Sequence, residues 1–289
     1  MTTPSDVAVP DPPINTRPGL PFAAAEEGLG LLADLAGTWV GTGFTLISLP
    51  DFDSSPPSTG PAPFRLKLNA TVEILELDPI GGVVPNRGST DPTGKTGQLD
   101  IKISGLRYLQ RVSDAVTNEA LHIEPGLWLN VGATTVPPGR PTVVRQGTIP
   151  HGNSLLALGE PPTPVNSGPR IDPFDNPPLP PGFTLPMVKN PNLALLAAIS
   201  GQNITRTVVL PISTAAPAGG PATQVGGIVN MPFDVSNANA TRLDAIFWIE
   251  TVEQVNGSSF LQLQYTQTVT LNFLGIDWPH ISVATLVKQ

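Results

Sequence analysis

Long stretches of this chain alternate apolar and polar residues one by one, and very little of it repeats at the helical spacing of three or four. Phe64, Leu66, Leu68, Ala70, Val72 and Ile74 alternate with Arg65, Lys67, Asn69, Thr71 and Glu73. Near the C-terminus Leu261, Leu263, Tyr265, Val269, Leu271 and Phe273 oppose Gln262, Gln264, Thr266, Thr268, Thr270 and Asn272. A period of two sends neighbouring side chains to opposite sheet faces, so each stretch reads as a strand with one apolar and one wet face. The first pattern slips at Leu75, where a bulge is expected. Ile101–Ser104 with Leu106–Val112 beyond a bend at Gly105, and Thr38–Leu49, Ala120–Val131, Thr142–Thr148, Ser154–Leu158, Ile204–Ile212, Leu243–Val252 and Ile281–Val287 complete about ten strands. Turn-like segments join them with little helix between, which favours an antiparallel meander over parallel crossover units. The expected fold is therefore all-β, an antiparallel up-and-down barrel, because closure removes the exposed edges of long regular strands.

Two segments break the pattern. Residues 1–22 contain Pro4, Pro10, Pro12, Pro13, Pro18 and Pro21 and read as an extended arm. Ala23 to Ala36 has Leu29, Leu32 and Leu35 on one side, a short helix weakened by Gly28 and Gly30. Residues 23–289 then form one barrel domain carrying an insert at about 160–203. Glu160 to Pro191 holds eleven prolines, which cannot donate to a sheet ladder, so the insert lies outside it. Phe174, Phe183, Leu185 and Met187 provide apolar anchors, and Leu193–Ile199 a short helix, so a packed wrap is expected.

The composition narrows the functions. The chain has no cysteine, which excludes disulfides, cysteine nucleophiles and iron–sulfur clusters. Its net charge of −8, with no Lys/Arg cluster, argues against nucleic acid. No apolar run is long enough to span a bilayer as a helix. The first residues lack a basic head and an apolar stretch, so a cytoplasmic location is expected.

Three histidines make any histidine-based site easy to enumerate. His122 lies within a strand, two residues before Glu124. His151, between Pro150 and Gly152, falls in a hairpin turn. His280 opens the last strand after Pro279 and shares a face with Ser282, Ala284 and Leu286, mostly small residues that a flat ligand can approach. A neutral imidazole there can ligate iron. No Gly-x-Ser-x-Gly elbow or paired-histidine zinc motif is present, and Glu73 and Glu76 fall on opposite strand faces.

The run Gly37-Thr-Trp-Val-Gly-Thr-Gly43, the segments Tyr108-Leu-Gln-Arg111, Leu121-His-Ile-Glu124 and Gly126-Leu-Trp128, and the pair Leu263-Gln-Tyr265 with Pro279-His-Ile281 resemble, in this order, the nitrobindins. These are haem-binding barrels shaped like fatty-acid-binding proteins. The resemblance implies haem b, with His280 as the axial metal ligand and His122, Trp39, Thr42, Phe44 and Ala284 around the cofactor. It also implies an open iron position suited to redox, peroxidase-like or isomerase-type chemistry on nitric oxide or peroxynitrite. Leu129 after Trp128 and the insert depart from the family pattern. A metal-free barrel carrying a small hydrophobic ligand, and a structural domain with a filled interior, remain as competing expectations.

Overall fold

The structure, a computed structural model, describes residues 28–50, 64–89, 97–174, 186–216, 226–273 and 275–289. The arm, the start of the expected helix, and Phe183 and Leu185 lie outside the described residues. Ten long strands follow in chain order: β1 (Gly37–Pro50), β2 (Phe64–Pro79), β3 (Ile101–Asp114), β4 (Ala120–Val131), β5 (Thr142–Ile149), β6 (Asn153–Gly159), β7 (Asn203–Ser213), β8 (Asn239–Glu253), β9 (Ser259–Phe273) and β10 (Ile276–Lys288). Each pairs antiparallel with the next, β10 returns to β1, and a contact between Ser213 of β7 and Leu158 of β6 completes the ring. The expected up-and-down barrel is therefore present. No helix among the described residues is long and apolar enough to cross a membrane.

One end of the barrel is plugged. A 3-10 turn at Gly30–Leu35 inserts Leu32 and Leu35, with Leu29 just before it. The Trp39 indole donates to the Leu35 carbonyl at 2.7 Å. Gly37, at φ 124°, supplies the backbone angle that turns the chain from plug into β1. Leu32→Ala is expected to cost about 2–5 kcal/mol in urea unfolding, since a fully buried leucine leaves a cavity the rigid barrel cannot collapse around.

The polarity of β2 is the reverse of its apparent amphipathicity. Its polar side faces inward, with Thr71 at 3% and Glu73 at 1% exposure, while outward Leu68 and Val72 are 48% and 39% exposed. An alternating pattern distinguishes two faces without saying which is inside. The slip at Leu75 is not a bulge, because the β1–β2 register runs unbroken from Pro50/Phe64 to Gly37/Leu77. It marks the depth at which the interior changes from polar, at Glu73, to apolar, at Leu75 and Leu77. Gly105 likewise causes no break, and β3 is continuous through it.

The Pro-rich insert is a strap on the outside wall. Its described parts place Ile171, Phe174, Val188, Leu195 and Ile199 against Phe44 and Leu46 of β1, Trp248 of β8, and Ile281 and Val283 of β10. Thr163–Val165 adds a short strand to β7, and the helix Asn192–Ala198 lies over β9 and β10, where Gln264 donates to the Leu195 carbonyl at 3.0 Å.

Candidate functional site

Strand direction decides which residues meet. β4 starts, β5 ends and β10 starts at the end of the barrel away from the plug, so His122, His151 and His280 all gather there. His151 occupies the β5–β6 turn, closed by a bond from the Gly152 N–H to the Ile149 carbonyl. Its ring centroid lies 6.3 Å from that of His122. In the ten-strand ring, β10 lies nearly opposite β4 and β5, so His280 faces this pair across the mouth.

His280 points inward, as its place in the β10 alternation with buried Ala284 and Leu286 requires. It sits opposite Ile47 of β1 and Val269 of β9. Two residues along its face come Ser282, paired with Thr45, and then Ala284, paired with Gly43. A side chain at Gly43 would collide with the backbone at Val283 and Ala284, which explains the glycine. Burial, and then positive charge on His122 and His151, push the His280 pKa down to about 4. At neutral pH it is an uncharged imidazole with a lone pair to offer.

Below the mouth, polar side chains bridge the interior. Arg145 of β5 is fully buried and pairs with Glu124 at 2.9 Å, reaches Gln267 of β9 at 2.7 Å, and donates to Tyr108 at 3.2 Å. The Tyr108 hydroxyl also bonds the Glu124 carboxylate. Tyr265 donates to Glu73 across the barrel at 2.7 Å, and Gln110 to the same carboxylate at 2.8 Å. The Arg145 guanidinium lies 5.5 to 5.8 Å from the ring centres of Tyr108, Trp128 and Phe247. Burial pushes Glu124 up, but Arg145, His122 and Tyr108 outweigh it and hold the carboxyl low and ionised. Burial raises Glu73, against the bonds from Tyr265 and Gln110. His122 stands at the upper edge of this network, its Nε2 3.3 Å from the second oxygen of Glu124.

Of the residues singled out from sequence, His280 and His122 face the interior at the open end, and Ala284 faces it four positions deeper along β10, within the apolar core. Trp39 faces inward too, but at the plugged end, eight positions along β1 from Ile47, the partner of His280. Thr42 is exposed on the outer face, and Phe44 is buried beneath the strap. The parity of β1 is the reason, since Trp39, Gly41, Gly43 and Thr45 take the inner face. Arg145 is not singled out by the sequence, and Glu73 is weighed there only as a partner for Glu76, from which its strand face separates it. Their signal was a charged residue in step with inward positions, Val143 and Gly147 for Arg145, and Thr71 and Leu75 for Glu73.

The fold and site define a closed ten-stranded antiparallel barrel with one end plugged by leucines and the other ringed by histidines. No family model and no curated protein matches the sequence. Among solved structures the chain is similar to the crystal structure of Rv2717c from M. tuberculosis, at 16% identity and a TM-score of 0.45, over 91% of this chain and 97% of that one.

Proposed function

We propose that this barrel binds haem b at its histidine-ringed end, with His280 as the axial ligand of the iron. The observation that carries this reading is an uncharged, inward-facing imidazole beside small residues, directly above an interior closed by side-chain bridges. The bridges Arg145–Gln267 and Tyr265–Glu73 leave a long hydrocarbon chain no apolar path down the barrel axis, which favours a flat ligand seated near the mouth over a lipid. Ile47 and Val269 flank the imidazole with apolar surface, and Ser282, Thr45 and Gly43 keep the wall beneath it low. The donor set fits a single-histidine haem site.

When bound, haem supplies a redox-active iron with one position left for a small ligand. The chain's own residues hold and tune that position. His280 fixes the iron to β10. His122, oriented by the ionised Glu124, can donate or accept one hydrogen bond across the mouth, and His151 places a second imidazole beside it.

Titration of purified protein with hemin should saturate at one haem per chain with a sharp Soret band. Uptake no greater than that of an unrelated barrel, together with a lipid recovered by mass spectrometry of an organic extract, would instead support the carrier reading. The pH dependence follows from the sign of the His280 shift. Its folded pKa is depressed, so the ligating form persists below the usual histidine range and is lost as pH falls through about 4. Hemin affinity should stay level from about pH 8 to about pH 5 and fall steeply below that. A decline centred in the ordinary histidine range would contradict the depressed pKa of His280 at the half-buried rim.

A further inference from the structure

We propose that the Pro-rich strap is a pH-operated latch, closed over an uncharged Glu250 on the barrel wall and loosened when that carboxyl ionises. Glu250 lies on the outer face of β8 and is wholly buried. Opposite it on β7 is Thr207, also wholly buried, whose hydroxyl donates to the Ser167 carbonyl of the strap at 2.8 Å. On its other side Gln262 of β9 donates to Glu250 at 2.6 Å and exchanges bonds of 3.1 and 3.2 Å with Gln202, where the strap returns to the barrel. The carboxyl thus sits where strap and wall are joined by polar contacts.

The seam is poorly matched to a charge. Four of the five buried side-chain polar atoms that lack a partner among the described residues lie along it: Oε1 of Glu250, Oε1 of Gln264, Oγ1 of Thr266 and Oδ1 of Asn192. Three of these are carbonyl or carboxyl oxygens, which accept and do not donate. A protonated Glu250 brings a donor into this acceptor-rich seam, whereas an ionised one adds an unpaired negative charge. The charged groups on the elements packed here are engaged elsewhere or exposed. Arg170 and Asp172 of the strap pair with each other at 2.9 Å on the surface. Arg206 of β7 pairs with Asp34 of the plug at 2.8 Å, and Glu253 of β8 accepts from Asn203. Lys189 closes the strap's first short helix. Burial pushes Glu250 up to about 7, against the bond from Gln262. A raised acid makes the closed form bind protons more tightly than the open one. Closure is therefore fully favoured below the ordinary glutamate range and is weakened as pH rises through about 7.

Hydrogen–deuterium exchange on the full chain without haem, corrected for intrinsic exchange rates, tests the latch. Peptides from 163–174 and 186–202 should open at least about tenfold more at about pH 8 than at about pH 5.5, while peptides from β2 to β4 keep their protection. Glu250→Gln, neutral at both values, should hold the two conditions within about twofold, and Glu250→Leu replaces it if the glutamine variant does not fold. Equal strap protection in the wild type at both pH values would overturn the latch. So would an unchanged pH dependence in a folded Glu250 variant, or exchange that rises equally in β2 to β4. The readout needs no haem, so its failure leaves the haem reading untouched.

Discussion

Replacing His280 with alanine is expected to lower hemin affinity by more than about a hundredfold, because removing the proposed ligand itself should exceed the 10–100-fold cost typical of losing an outer-shell partner. The barrel stays folded, since His280 is half-buried at the open rim and forms no part of the apolar core. The Soret band shifts or disappears. His122→Ala keeps most of the affinity and changes instead the binding of small ligands at the open iron position, because His122 stands across the mouth on β4. His151→Ala, in the β5–β6 turn, has the smallest effect of the three. If His280→Ala binds hemin with the wild-type spectrum and affinity, His280 is not the ligand.

Arg145→Ala destabilises the fold by about 3–5 kcal/mol, measured by urea unfolding. The cost comes from what the arginine leaves behind. Glu124 is fully buried and held ionised mainly by Arg145 against its own burial, and Tyr108, Gln110 and Gln267 each lose a partner. Adding Glu124→Gln to Arg145→Met should recover a large part of the loss, since the pair then leaves no uncompensated charge. A loss below about 1 kcal/mol for the single alanine variant would mean that the bridges do not hold the interior together.

The barrel was legible because strand periodicity is local. Ala120–Val131 has the bounds its sequence pattern gives, and the helix of the strap falls at Asn192–Ala198 against an expected Leu193–Ile199. Which face of each strand is inside is not local. The polar face of β2 points inward because Glu73 meets Tyr265 and Gln110, partners 192 and 37 residues away. The same non-locality sent Thr42 and Phe44 outward, although they belong to the segment whose resemblance suggested a pocket. The strap adds a further complication, since it makes Phe44 and Trp248 look like interior residues when they are buried from outside. His151 was recognised as a turn residue, and only the strand order brings that turn beside His122 and opposite His280. Helix Pro232–Asn237 was missed, because six residues with Phe233 and Val235 exposed carry no amphipathic signature.

The central claim, that His280 binds the iron of haem at the open end, is tested most directly by resonance Raman spectroscopy of the ferrous haem complex with nitrogen-15 histidine. An iron–imidazole band that shifts on labelling is expected in the wild type and should be missing in His280→Ala, while His122→Ala and His151→Ala retain it. An isotope-sensitive band that survives unchanged in His280→Ala, or its absence from the wild-type complex, would contradict the claim.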